Sequence, residues 1–318
     1  EGKGPLRECF DKICRDDTLG LDSWEQAESR MFESAVRVAL AKIKRQSDDL
    51  SCLLGGDLLN QIISSGFAAR EIRAPFIGLY GACSTISEGL MLGGMLVDGG
   101  FAELAACAAS SHFSAAERQF RYPLEMGVQA VPSSQRTVTG AGSIIIQAAG
   151  EFRPGAGNVF EHVALTGGTI GSVEDFGITD ANNMGAAMAP AAFKTIKTHL
   201  SDYSRRVEDY DRIITGDLGI FGSDMLYELL RGEGIEIADR HEDCGKLMFS
   251  PEQNVNCGAS GCGCAATVMS SWFLPKIESG EIRRVLFLAT GALMSPVSSL
   301  QGESIPSIAH AVVIEHID

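Results

Sequence analysis

Residues 74–85, APFIGLYGACST, decide the fold of this chain. The apolar run from Ala74 to Tyr80 predicts a short strand, and a helical pattern starts near Ser84, so Cys83 stands on the turn between the two. A cysteine at this place lies at the positive end of the helix dipole, where a thiolate and other anions are stabilised. The stretch therefore predicts a strand–turn–helix unit that presents Cys83 as a candidate nucleophile.

Strand and helix patterns alternate on both sides of this turn. The predicted strands cover residues 50–54, 74–80, 103–109, 163–166, 212–215 and 285–290, and the predicted helices cover residues 24–43, 57–69, 85–97, 185–200 and 223–230. Such alternation is typical of a parallel or mixed sheet with helices on its faces. The sequence therefore predicts an α/β fold.

The second half of the chain repeats the first by a fixed shift. Cys83–Ile86 aligns with Cys264–Thr267, and the strand Leu104–Ala109 then aligns with Val285–Thr290. A helix, a turn and a strand in step predict an internal duplication, with halves at residues 1–158 and 159–318. Two segments depart from the repeat, the polar loop 110–136 and the charged insertion 232–256, and loops of this length are usually functional.

Composition narrows the classes of partner. The 318 residues are 45% hydrophobic and 21% charged, as in an ordinary globular protein, and 26 basic against 41 acidic residues give a net charge of -15. This balance argues against nucleic acid and against electrostatic docking on anionic lipid. No apolar run reaches the roughly 18 residues of a membrane span. Nine cysteines, an odd number, favour a reducing compartment over a disulfide framework.

Residues 261–268, GCGCAATV, with the turn 280–283, resemble the late glycine-rich motif of the thiolase superfamily, which includes the ketoacyl synthase III condensing enzymes. Four further blocks, 56–61, 76–85, 110–121 and 137–142, narrow the resemblance to the stage V sporulation AD family, over nearly the whole chain. The resemblance implies a thiolase-like duplicated fold with five layers, α-β-α-β-α. It also implies a homodimer and a strand before the first helix that this sequence lacks.

The same resemblance implies a function. Members of this family are spore proteins of endospore-forming bacteria, in the machinery that moves dipicolinic acid into the spore and releases it at germination. The chain is then expected to bind dipicolinate, alone or as its calcium chelate, without a cofactor. It is expected on the reducing side of the spore inner membrane as a peripheral protein, beside other spore membrane channel proteins.

Catalysis is not expected, because two partners of the cysteine are missing. Condensing enzymes of the superfamily place a histidine, and an asparagine or second histidine, at positions that fall here on Gly216 and Cys262. None of the six histidines (112, 162, 199, 241, 310 and 316) stands at either position. Each missing group is worth roughly 10²-fold or more in rate. We therefore expect a non-catalytic scaffold; the alternative is a cysteine-dependent acyltransferase of the ketoacyl synthase III type that uses Cys83.

The predicted binding site follows from the ligand. Dipicolinate is a flat ring with two carboxylates, which need hydrogen-bond donors and an apolar slot. The backbone N–H groups at the start of the helix after Cys83 and the arginines of the long loop offer such donors. The predicted ligand-binding residues are Cys83, Ser84, His112, Arg118, Arg121, Arg136, Asp217 and Cys262.

Plainer interpretations stand beside these. Cys83 can be a small buried residue under a turn, and Arg118 and Arg121 can be exposed loop charges. His112 can be a structural histidine. Asp217 follows a strand, so it can cap the next helix or bind calcium, and capping is the safer interpretation. Cysteines 257, 262 and 264 have no common zinc spacing, so we predict no metal site.

Overall fold

Two sheets, one from each half of the chain, carry the fold in the computed structural model, which describes residues 1–119, 124, 131–149 and 160–318. The first half contains α1 (Trp24–Lys42), β1 (Cys52–Gly56), α2 (Ile63–Ile72), β2 (Phe76–Gly78), α3 (Thr85–Asp98), β3 (Leu104–Ser111), α4 (Phe113–Glu117), β4 (Arg136–Thr137) and β5 (Gly140–Gln147). The second contains β6 (Val163–Thr169), α5 (Met184–Asp202), β7 (Arg212–Thr215), α6 (Gly219–Arg231), β8 (His241–Asp243), α7 (Cys244–Leu247), β9 (Ala259–Ser260), α8 (Cys262–Val268), α9 (Leu274–Glu278), β10 (Arg284–Ala292), α10 (Pro296–Leu300) and β11 (Ser307–His316).

The two sheets share one topology. The first has the order β2-β1-β3-β5 and the second β6-β11-β10-β7-β8. In each, three neighbouring strands are parallel (β2, β1, β3 and β8, β7, β10), and the next strand, β5 or β11, is antiparallel. The predicted duplication is confirmed. Among the described residues the first sheet has no counterpart of β6.

The core follows the period-2 alternation of the buried strands, whose successive side chains face opposite ways. In β1, Leu53 packs with Phe32 of α1 on the outer face, whereas Leu54 packs with Leu90 of α3 on the inner face. In the second sheet, Phe287 faces this inner layer, and the neighbouring residues of β10 pack against α5 and α6. The layers are therefore helix, sheet, helix, sheet, helix, as predicted.

The segment 232–256, predicted as an irregular insertion, is partly regular. It contains β8, which pairs in parallel with β7 from Ile213↔His241 to Thr215↔Asp243, and the short helix α7. This strand is the counterpart of β2 in the repeat. Its residues, His241, Glu242 and Asp243, are polar, so the sequence offers no apolar strand signal there.

The predicted loop 110–136 is partly regular. Its first residues complete β3, Phe113–Glu117 form α4, and Arg136 begins β4, which pairs with β9 of the other half. The predicted division at residues 158 and 159 falls outside the described residues and stays a prediction. None of the helices in the described ranges has both the length and the hydropathy needed to cross a bilayer.

Candidate functional site

The carboxyl ends of the parallel strands gather the polar groups of the candidate site. Asp57 follows β1, Cys83 follows β2, Ser111 ends β3, Asp217 follows β7 and Thr290 lies near the end of β10. All five are buried. Ligand sites of α/β sheets lie at this end of the strands, so the fold brings residues of both halves to one place.

The Cys83 turn is a strained turn held by the second half. Ala82 has φ 51°, in the left-handed region that non-glycine residues avoid. Ser84 Oγ donates to Gly81 O at 2.6 Å, and the Ser84 amide donates to the same oxygen at 3.1 Å. Gly291 of β10 approaches so closely that a Cβ there would lie 2.2 Å from Gly81 O. Both donors of Ser84, which we predicted to hold a carboxylate, are thus engaged within the turn.

The Cys83 thiol meets a carboxyl group instead of an imidazole. The thiol lies beside the Asp217 carboxyl, whose charge acts on it, and Cys83 is only 4% exposed. Burial, followed by the negative charge of Asp217, raises the pKa of the Cys83 thiol well above its ordinary value. The nucleophilic form of cysteine is the thiolate, so the structure holds Cys83 in its unreactive, protonated form.

Asp217 is itself fully buried. Its Oδ2 accepts hydrogen bonds from the Gly261 amide at 2.8 Å and Ser260 Oγ at 3.1 Å, and its Oδ1 accepts one from Thr290 Oγ1 at 3.1 Å. Burial raises the pKa of Asp217 from 3.8 to about 7, although these donors and Cys83 favour the charged form. The carboxyl therefore changes its charge close to neutral pH.

The interpretation of Asp217 as a helix cap is wrong. The amides at the start of α6 are bound by Asp243, which accepts from Leu218 N at 2.8 Å and Gly219 N at 3.0 Å. Asp243 is the last residue of β8, a strand that the sequence did not predict, so its capping role could not be predicted. Asp217 is thereby left to face Cys83.

Gly216 and Cys262, the positions where the resemblance to condensing enzymes predicts catalytic partners, carry neither an imidazole nor an amide. A Cβ on Gly216 would lie 2.9 Å from Ala289 Cα, so the packing leaves no room for a side chain. Cys262 is buried, and its Sγ donates to Ala82 O at 2.9 Å. Burial, and then the charges of Asp57 and Glu28, raise the pKa of the Cys262 thiol well above its usual value.

Two further buried carboxyls lie on the first-half side of the site, and sequence reasoning missed both. Asp57 accepts from the Leu59 amide at 2.8 Å and from Ser65 N and Oγ at 2.7 and 2.6 Å. Glu28 accepts from Ser110 Oγ at 3.1 Å through Oε1, while its Oε2 has no hydrogen-bond partner among the described residues. Burial raises the pKa of both groups. The charges of Asp57, Glu28 and Asp217 all act on Cys262.

His112 has a structural place. It caps α4, where its Nδ1 accepts from the Ser114 amide at 3.2 Å, and its Nε2 lies 3.0 Å from Asp17 O. These contacts require the neutral ring with its proton on Nε2. Its role as a ligand contact stays a prediction.

The loop arginines make other contacts. Arg118 forms an ion pair with Glu25 and lies over the Trp24 ring at 5.4 Å, both on α1. Arg136 lies over the Phe113 ring at 4.0 Å. Arg121 falls outside the described residues. Of the predicted set, the structure brings together Cys83, Ser84, Asp217 and Cys262.

The described residues offer no evident metal centre. No group of three or more histidine, cysteine or acidic side chains in the described ranges is placed to hold a metal ion. All nine cysteines are free thiols.

A large cleft of about 1880 Å³ lies away from this site. It runs between the free edges of β5 and β6, beside α1 and α3, and Cys83, Asp217 and Cys262 do not line it. In the second sheet, β6 fills the corresponding place beside β11. We therefore attribute the cleft to an unpaired sheet edge and place the candidate site at the Cys83 turn.

Comparison with known proteins agrees with this fold. Over 315 residues the chain is 45% identical to stage V sporulation protein AD of Bacillus subtilis (strain 168), covering 99% of this chain and 90% of that protein.

The solved structures that it resembles are condensing enzymes. OleA of Xanthomonas campestris with bound lauric acid and lauroyl-CoA has a TM-score of 0.59 and 12% identity over 90% of this chain and 82% of that one. 3-Oxoacyl-[acyl-carrier-protein] synthase III of Aquifex aeolicus VF5 has a TM-score of 0.57 and 11% identity over 91% of this chain and 84% of that one. Identities this low support a shared fold only. Residues 1–315 match the SpoVAD profile, stage V sporulation protein AD, and the chain therefore belongs to this family of sporulation proteins.

Proposed function

We propose that this sporulation protein is a non-catalytic binding protein for dipicolinic acid, which serves its uptake during sporulation and its release at germination. The observation that carries the proposal is the contact between the Cys83 thiol and the buried Asp217 carboxyl. A condensing enzyme needs an activated thiolate at the position of Cys83, and here this position has a thiol beside a carboxyl.

Three features of the turn support the proposed loss of catalysis. The pKa of the Cys83 thiol is raised by burial and by Asp217, position 216 has no space for a side chain, and Cys262 cannot supply an oxyanion donor of the required kind. The runner-up function, a cysteine acyltransferase of the ketoacyl synthase III type, is favoured only by the shared fold and the retained cysteine.

The form of the ligand follows from the charges of the site. Free dipicolinate is a dianion, and the buried carboxyls of Glu28, Asp57 and Asp217 would repel it whenever they are ionised. In the calcium chelate the ligand carries Ca²⁺, which prefers oxygen ligands and can be coordinated by these carboxylates of the protein. We propose that the chelate is the bound form. Since Cys83 and Asp217 are buried, its entry requires the covering segments to move.

Location and assembly belong to the same proposal. We place the protein at the spore inner membrane as a peripheral component, held by other membrane channel proteins. One of the two edge strands of the first sheet, β2, is the proposed homodimer contact. Beside this edge Ile63, Phe67 and Ile77 are 43%, 45% and 43% exposed.

Isothermal titration calorimetry tests the binding proposal. Dipicolinate is titrated with and without an equivalent of calcium into the wild type, Asp217→Asn and Cys83→Ala. The matched controls are Asp239→Asn, at an exposed position, and Cys52→Ala. Cys52 is a buried cysteine at the amino end of β1, opposite to the strand ends that form the candidate site. We expect saturable binding of the chelate that Asp217→Asn weakens at least 10-fold and the controls leave unchanged. Absence of saturable binding to the wild type would sink the proposal.

A further inference from the structure

Three stretches of the second half contain no lysine or arginine, residues 163–193, 213–230 and 285–318. The chain as a whole has 26 such residues, so their absence from these long stretches is a marked local bias. Two of the stretches supply the loops that follow β6 and β10, at the same end of the sheet as the Cys83 turn.

These two loops are joined into one surface. Glu174 and Ser307 exchange backbone hydrogen bonds of 2.9 and 2.7 Å, and the Ile305 amide donates to Ile178 O at 2.7 Å. Ser304 Oγ donates to Asp175 Oδ2 at 2.5 Å. The helix α10 lies within the second loop, capped by Ser295. The loops 170–183 and 293–306 therefore present a single continuous face.

Large apolar side chains project from this face. Five of them are more than half exposed: Ile170 (65%), Val173 (55%), Phe176 (56%), Val297 (64%) and Leu300 (89%). Five such side chains expose on the order of 500 Å² together, within the size range of the largest apolar patch on a typical monomer, which is often functional. We call the surface formed by these five side chains together with Asp175, Asp180 and Glu303 the loop face.

The charges on the loop face are negative. Asp175, Asp180 and Glu303 are exposed on the same two loops. Hydrogen bonds from Ser304 and from the Gly177 amide lower the pKa of Asp175, so it is ionised at neutral pH. Anionic lipid would be repelled by these charges. In a symmetric contact between two copies the same acidic residues would face each other, which is also unfavourable.

We propose that the loop face is a docking surface for a partner protein that offers a segment with apolar and basic side chains. Apolar contacts would supply the burial, and lysine or arginine on the segment would complement the acidic residues. The surface adjoins the candidate site. Ala181 and Asn182, further along the first loop, line a cavity of about 10 Å³ together with Ser260, whose Oγ donates to Asp217.

A defined probe tests the proposal independently of dipicolinate. The probe is a fluorescent 14-residue amphipathic peptide of leucine and lysine, and its counterpart has glutamate in place of each lysine. Binding is followed by fluorescence anisotropy. We expect the lysine peptide to bind the wild type saturably and the glutamate peptide to bind at least 10-fold more weakly.

Matched variants locate the binding. The double variant Val297→Ser/Leu300→Ser should weaken the lysine peptide at least 10-fold, and Glu303→Lys at least 3-fold. Phe101→Ser and Glu103→Lys, exposed positions at the amino end of β3, are the controls and should leave binding unchanged. Thermal melts check that every variant is folded.

Four results would overturn the proposal. Equal binding of both peptides would exclude charge complementarity, and equal losses in the loop-face and control variants would exclude the loop face. A loop-face-dependent affinity for phosphatidylglycerol vesicles, or a dimer that Val297→Ser/Leu300→Ser dissociates in ultracentrifugation, would assign the face to a membrane or to a second copy instead.

Discussion

Replacing Asp217 with asparagine tests the electrostatics of the candidate site. In the folded protein burial raises the pKa of Asp217 from 3.8 to about 7. The folded state therefore holds this proton more tightly than the unfolded state does. The stability that the neutral carboxyl contributes is fully present below about pH 4 and is lost as the pH rises through 7. Asparagine does not titrate, so the variant escapes this loss.

The magnitude follows from the same pKa. The complete effect is on the order of 4 kcal/mol, of which about 2.5 kcal/mol falls between pH 5 and pH 8. The free energy of unfolding of Asp217→Asn, relative to the wild type, should therefore rise by about 2.5 kcal/mol across this range. Other titrating groups are common to both proteins and cancel in the difference.

Urea denaturation at pH 5, 6, 7 and 8 measures this difference directly, with exposed Asp239→Asn as the control. The control should give a difference that is independent of pH. A flat difference for Asp217→Asn would refute the argument that burial holds this carboxyl neutral beside Cys83.

Three further predictions concern reactivity and packing. Iodoacetamide at pH 8 should modify exposed Cys14 at least 100-fold faster than Cys83, as read by peptide mass spectrometry; similar rates would contradict a protonated, buried thiol. Gly216→Ala should lower the free energy of unfolding by about 1–3 kcal/mol because its Cβ meets the backbone of β10, whereas Gly66→Ala, in open space on α2, should be neutral or slightly stabilising. Equal effects of the two alanines in urea denaturation would disprove the packing argument. Tyr227→Phe should cost about 1 kcal/mol, since the phenol lies 2.8 Å from the Nδ1 of the buried histidine of β8; an unchanged stability would show that this hydrogen bond is dispensable.

Much of the fold could be predicted because the duplication is visible in the sequence. Cys83 lies just before α3 and Cys264 lies in the first turn of α8, and each is followed in step by a turn and a buried strand. Both helices lie in the central layer. The strand β8 escaped prediction because its side chains are polar and its pairing with β7 is a tertiary property. The tripeptide Gly-Asp-Leu also repeats, at residues 56–58 at the end of β1 and at residues 216–218 directly after β7.

The candidate site was only partly predictable. The Cys83 turn followed from local pattern, but the direction of Asp217 depended on Asp243, which takes the helix cap that Asp217 was expected to provide. The repeated motif could have indicated Asp57 as the first-half equivalent of Asp217. Nothing local indicated Glu28, because its burial results from the packing of α1 against β3.

The central claim is that the Cys83 turn keeps the fold of a condensing enzyme but holds its cysteine as a buried, protonated thiol, which is not an activated nucleophile. Incubation with lauroyl-CoA at pH 7.5, followed by intact-protein and peptide mass spectrometry, tests it most directly. The account predicts no thioester on Cys83 after several hours, while exposed Cys14 remains open to an added thiol reagent in the same sample. A stoichiometric acyl adduct on Cys83 within minutes, absent from Cys83→Ala, would contradict it.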